Sequence, residues 1–91
     1  MEQPIRFSKN ISGNYKMEVD VTRDDCLREP AHWHLYDGGW RIAQVWVDSC
    51  MFEREPDVAR YVKEEALRLT SMYASEIKDA YRHNAKYGAI R

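Results

Sequence analysis

The hydrophobic period of this chain changes once, and that change limits the folds open to it. Residues 14 to 52 read as strands, with apolar and polar side chains alternating most clearly from Tyr15 to Thr22, and from 55 to about 86 apolar residues recur at every third or fourth position. Period two belongs to a half-buried strand, whose successive side chains point to opposite faces. Steps of three and four belong to a helix with one apolar stripe. Strands followed by helix, rather than the two interleaved, specify an α+β arrangement.

Within the strand half, Tyr15-Lys16-Met17-Glu18-Val19-Asp20-Val21-Thr22 alternates strictly, apolar at odd and polar at even positions. Asn10 and Ser12-Gly13-Asn14 precede it as turn residues, and Ile5 and Phe7 supply a short partner strand. Glu29-Pro30 interrupts the ladder because proline has no amide hydrogen to donate. A hairpin follows. Asp37-Gly38 suits a type I′ turn. With those two residues in the loop, Leu35 faces Trp40, His34 faces Arg41, Trp33 faces Ile42 and His32 faces Ala43. Trp33, Leu35, Trp40, Ile42 and Trp46 then share a core face, and His32, His34, Tyr36, Arg41, Val45 and Val47 the other. A Gly38-Gly39 loop instead shifts the partners by one.

In the helical half, Pro56 suits the first helical position and Asp57 the positive end of the dipole. Val58, Val62, Ala66, Leu69, Tyr73, Ile77 and Ala80 form the stripe, with Lys63, Glu64, Arg68, Ser71, Ser75, Lys78 and Arg82 opposite. Gly88 is a suitable stop. An unbroken helix of roughly thirty residues would reach about 45 Å, which points to a kink or break near Thr70-Ser71. The expected architecture is one α+β domain over residues 1–91. It is an antiparallel sheet of three to four strands with a long C-terminal helix packed on one face. The helix covers the Trp33 side and leaves the histidines toward solvent or a partner.

Composition narrows function. Ninety-one residues suffice for one domain with a small core, which three tryptophans and six tyrosines help to fill. A net charge of −1 argues against non-specific nucleic-acid binding by bulk charge. Nine of the fourteen basic residues are arginine, which suits bidentate recognition of phosphate or carboxylate. Met1 to Gly13 has no apolar run resembling a signal peptide, and no stretch has the composition of a membrane span. Cys26 and Cys50 are too few for a disulfide framework. The expectation is a cytoplasmic protein with reduced thiols and no membrane partner.

Ala31-His32-Trp33-His34-Leu35-Tyr36-Asp37-Gly38-Gly39 is the segment with chemical potential. On a strand, His32 and His34 share a face roughly 6.6 Å apart. Three readings follow. In the first, the imidazoles act as general acid and base, titrating near neutrality. Arg41 holds a phosphate, and Tyr36 or Asp25 assists. That set suffices for metal-independent RNA cleavage with the 2′-hydroxyl as nucleophile. In the second, Cys26, His32, His34 and Cys50 form a Cys2His2 zinc set, with Asp24, Asp25, Asp37 and Asp48 as further oxygen ligands. In the third, the histidines are polar residues on a wet strand face, the thiols small semi-buried groups, and His83 a favourable charge near the helix end. An exposed aromatic sheet face would then mark a protein partner or a homodimer.

The run Pro30-Ala31-His32-Trp33-His34-Leu35-Tyr36-Asp37-Gly38-Gly39 resembles a family of small bacterial proteins known only as a domain of unknown function (four-one-six-zero). Its pattern is proline, proline, His, aromatic, His, then a tyrosine and glycine turn. A strand and a leucine-rich helix with an acidic, aliphatic and aromatic cluster follow. His32 and His34 match position for position, and Ala31 departs from the second proline. Ala66-Leu67-Arg68-Leu69 and Glu76-Ile77-Lys78-Asp79-Ala80-Tyr81 resemble the helix, and Asp24-Asp25 an acidic lead-in. The likeness spans roughly residues 14 to 86. It implies a toxin-like or defence-associated protein of a toxin–antitoxin-like gene pair, with ribonuclease activity suggested and a cognate small protein as partner. The alternative is a non-enzymatic module that blocks a larger target protein, as phage-encoded inhibitors do.

Overall fold

The computed structural model describes residues 3–21 and 29–90, with backbone alone over 86–90. Five strands and two helices follow in order: β1 (Ser8–Asn10), β2 (Tyr15–Glu18), β3 (His32–Asp37), β4 (Trp40–Trp46), β5 (Met51–Phe52), α1 (Arg60–Met72) and α2 (Ala74–Ile90). The α+β class is as expected. The sheet, however, has five antiparallel strands in sequential order, not three or four, and two helices stand in place of one.

The alternation at Tyr15 makes β2, which pairs with β1 through Lys9↔Met17 and with β3 through Met17↔Leu35. The partner strand expected at Ile5 and Phe7 forms slightly later in the chain. Phe7 still joins the ladder, its carbonyl accepting the Val19 N–H at 3.0 Å. β5 was not separated from β4 in the sequence pattern. It pairs at Val45↔Phe52 and Trp46↔Met51 after a turn in which Cys50 takes φ 56°.

The β3–β4 hairpin departs from the expected register. Gly38-Gly39 is the loop, Gly38 takes φ 61°, and Asp37 faces Trp40. A positive φ at the first loop position is the type II′ requirement, which glycine meets without strain. Tyr36 faces Arg41, but Leu35 faces Ala43, so Ile42 is an extra residue on β4. This β-bulge reverses which β4 side chains reach the core. Ala43, Val45 and Val47 join Trp33 and Leu35, whereas Trp46 moves to the histidine side. Trp40, expected in the core, is 79% exposed, and Ile42 is 37% exposed.

The helical stripe behaves as its spacing requires. Val62, Ala66, Leu69, Ile77 and Ala80 are buried, and Val58 and Tyr73 pack at the margin. The break falls at Tyr73, whose N–H still donates to the Leu69 carbonyl (2.9 Å) at φ −111°, ψ 23°. Pro56 precedes α1 rather than opening it, and α2 continues through Gly88 to Ile90. Its His83 meets the Gln3 carbonyl at 2.6 Å, a tie to the N-terminal segment rather than a helix-end charge.

α1 lies on the Trp33 side. Trp33 Nε1–H donates to Thr70 Oγ1 (2.9 Å), and the Thr70 hydroxyl donates to the Ala66 carbonyl (2.7 Å). Phe7 wedges between Trp33 and Tyr73, ring centroids 5.9 and 5.8 Å away. α2 crosses the end of the sheet where β2 stops and β3 begins. Its buried Asn84 clamps two chain segments there. Oδ1 accepts from Ile5 N–H (2.7 Å), and Nδ2 donates to the carbonyls of Ile5 (2.9 Å) and Asp20 (2.8 Å).

Thr70 is therefore the polar joint between sheet and helix. Thr70→Val keeps the volume but strands the buried indole N–H. Urea unfolding of this variant should show a loss of about 1–3 kcal/mol, and Thr70→Ser, which keeps the oxygen, a smaller one. Equal losses would mean that the joint is apolar packing alone.

Candidate functional site: a buried histidine–carboxylate network

Pleating places His32, His34 and Tyr36 on one face of β3, away from Trp33 and Leu35. The neighbouring strands add Asp20, just past β2, and Arg41, Gln44 and Trp46 from β4. Asp20 is the hub. Its Oδ1 accepts from the Tyr36 hydroxyl at 3.1 Å and lies 3.5 Å from His34 Nδ1. Its Oδ2 accepts from Arg41 Nη2 at 3.1 Å. Burial alone would raise the Asp20 pKa, but His34, Arg41 and Tyr36 together hold it below the usual 3.8. Burial raises the Tyr36 phenol, against the pull of Arg41, so it remains a proton donor to the carboxylate.

The imidazoles touch directly, with centroids 5.1 Å apart and planes at 84°. Both are buried, each 4% exposed. This corrects the expectation that their face is left open. Tyr81 of α2 stands 5.0 Å from His32, Trp46 stands 5.5 Å away, and the Tyr81 hydroxyl donates to the Glu29 carbonyl (2.9 Å). The bulge and the crossing of α2 bring these aromatics to a face that period-two reasoning leaves wet.

His32 Nδ1 sits 2.8 Å from the Pro30 carbonyl, which can only accept, so this nitrogen carries the proton. Nε2 is 3.7 Å from Glu29 Oε2. Burial lowers the His32 pKa below 6.5, opposed by the Pro30 carbonyl and by Glu29 and reinforced by His34. His34 Nε2 meets Gln44 Oε1 at 3.0 Å, and its Nδ1 faces the Asp20 carboxylate. His34 Nδ1, though 3.5 Å from the carboxylate, makes no aligned hydrogen bond, and Gln44 Nε2 is likewise buried without one among the described residues.

The structure thus brings His32, His34, Tyr36 and Arg41 together. Arg41 faces Tyr36 rather than His34, and reaches the cluster through Asp20. Asp20 and Gln44 were missed as site residues. The signal for Asp20 was its even position on an alternating strand, which shares the histidine face. Cys50 does not join them, because its thiol donates to the Leu67 carbonyl of α1 at 3.3 Å, on the helix side. Cys26, Asp24 and Asp25 lie outside the described residues. Among the described residues no three His, Cys, Asp or Glu side chains gather to hold a metal ion, and no helix is long and apolar enough to cross a membrane. No family model, curated protein or solved structure matches this chain.

Each ring nitrogen of the pair faces a protein group, and Arg41 is half-exposed with its guanidinium on a carboxylate. Such a network ties the end of β2 to β3 and β4, and its strength depends on protonation. His32 and Asp20 both have folded pKa values below their unfolded ones, so the unfolded chain binds protons more readily as pH falls. Their stabilisation is present above those ordinary values. It is lost in two acid steps, the first below 6.5 and the second below 3.8. His32→Asn, whose amide can still serve the Pro30 carbonyl, should flatten the first step in urea titrations across pH and leave the second. Superimposable profiles would refute the assignment. Asp20→Asn should cost about 2–3 kcal/mol at pH 7, because it discharges a carboxylate that serves three partners.

Proposed function

We propose that this chain is a non-enzymatic protein-binding module that acts by covering part of a partner protein. The observation carrying this reading is Trp40, 79% exposed beside the hairpin tip of a chain that packs its other two tryptophans against the fold. Ile42 is partly exposed on the same strand, and Met51 and Tyr61 are exposed on β5 and α1. Exposed tryptophan is strongly enriched among residues that dominate binding energies. The binding surface differs from the aromatic sheet face expected from the sequence, since Trp40, expected under the helix, is exposed and the histidine face, expected to be free, is buried. A cognate small protein of a gene pair and a larger cytoplasmic target are both partners of the kind such a module serves.

A second reading, metal-independent ribonuclease action of a toxin-like protein, is supported by the convergence of His34, Tyr36 and Arg41 on Asp20. It asks more of the fold. Two imidazoles that are 4% exposed must open before a phosphodiester can reach them.

The two readings separate in one set of proteins: wild type, Trp40→Ser and Arg41→Ala. The binding module retains a stoichiometric cross-linked partner in its native cell with Arg41→Ala and loses it with Trp40→Ser. The enzyme cleaves labelled RNA in the presence of chelator and loses that activity with Arg41→Ala. Cleavage of this pattern, or a Trp40→Ser variant that retains its partner fully, would overturn the binding reading.

A further inference from the structure

We infer that the groove between β4 and residues 53–57 receives an extended, basic segment of the partner protein. The inference rests on the protein-binding reading and narrows it to one surface and one ligand chemistry. β5 covers little of β4. It pairs with Val45 and Trp46, and the Glu53 N–H closes on the Gln44 carbonyl at 2.8 Å. The chain then turns away through Pro56 toward α1. Where β5 ends, a groove of about 350 Å³ opens, with Ile42–Gln44 along one wall and Glu53–Asp57 along the other.

Its walls select by charge. Glu53, Glu55 and Asp57 stand against one cation, Arg54. Lys63 holds Glu55 at 3.2 Å. Glu53 and Asp57 are exposed and make no ion pair among the described residues. A basic side chain laid between them meets uncompensated carboxylates, and Ile42 offers apolar contact for its stem. Trp40, two positions along β4, exposes a ring face of the kind that attracts a lysine or arginine.

Other occupants fit less well. A nucleic acid would bring phosphates against the carboxylates. A second copy, paired edge to edge, would set the same acidic walls against each other. The bulge at Ile42 also interrupts the regular ladder that such pairing needs. Recognition therefore rests on side chains more than on strand addition.

The test uses fluorescein-labelled peptides of three Arg-Val repeats and of three Glu-Val repeats, titrated into the full chain by fluorescence anisotropy. Wild type should bind the basic peptide at least about tenfold more tightly than the acidic one, with affinity falling as salt rises. Glu53→Lys/Asp57→Lys, a change at two exposed positions, should reverse the preference. Trp40→Ser should weaken the basic peptide at least about fivefold. Amide shifts in ¹⁵N spectra should cluster at Ile42–Gln44 and 53–57. No saturable binding, no preference between peptides, or a preference unchanged by the double substitution would overturn the groove assignment. A native partner that is lost with Trp40→Ser but retained by the double variant would refute the groove and leave the binding reading standing.

Discussion

The central strand of this fold is buried on both faces, and that constraint organises the rest. His32, Trp33, His34 and Leu35 are successive residues of β3, and all four are buried. On the Trp33 side the cover is apolar, and the strand needs one polar joint, the indole to Thr70. On the other side, burying two imidazoles without partners would cost several kcal/mol. The Pro30 carbonyl and Gln44 meet that requirement for one nitrogen of each ring, and the Asp20 carboxylate stands 3.5 Å from His34 Nδ1. Asp20 then needs compensation of its own, which Arg41 and Tyr36 supply. The polar groups of the network are thus linked one to the next from β3 outward, with His34 Nδ1 and Gln44 Nε2 left without an aligned hydrogen bond.

The bulge at Ile42 reconciles two demands that a regular hairpin cannot meet. Trp40 and Ile42 lie at even positions, whereas Val45 and Val47 lie at odd ones, and no unbroken strand puts both pairs on one face. The extra residue lets the odd pair enter the core with Trp33 and Leu35. It also brings Gln44 opposite His34 and Trp46 opposite His32. The consequence at the surface is as important. Ile42 is released from the core, beside Trp40, which is exposed at the hairpin end before the bulge, and this apolar character is available for contact. One inserted residue therefore links the buried network to the exposed surface.

Much of this order was legible in the residues. Strict alternation marked β2, Asp37-Gly38 marked the hairpin though the loop falls one residue later, and steps of three and four marked the helical stripe, whose members are buried or packed at its margin. The phase change within β4 was legible too, as apolar residues on both parities, but its meaning as a bulge depends on which parity β3 presents to the helix. The helix break was expected near Thr70-Ser71 and falls at Tyr73, because length argues for a break and says little about its place. Asn84 carried no local signal at all. A polar residue within a helix becomes a clamp only when the segments around Ile5 and Asp20 arrive beside it. The burial of the histidines was hidden for the same reason. Tyr81, which stands beside His32, is forty-nine positions away, and a sheet-face pattern says nothing of what crosses the sheet's end.

Satisfied burial and acid–base catalysis make opposing demands on an imidazole. A catalytic ring needs one nitrogen free for the substrate and the other held by a partner. In this network the ring nitrogens are turned toward Pro30, Glu29, Gln44 and Asp20. Freeing them would open the β2–β3–β4 junction that they hold together. The same side chains cannot serve as the stable joint of a small core and as a ready site without such a local opening. The side chains that meet solvent without disturbing the core are elsewhere, on the bulged half of β4 and the segment after β5. Physical economy therefore commits the histidines to the fold and leaves the exposed tryptophan, with its acidic neighbourhood, as the surface for the encounter proposed above.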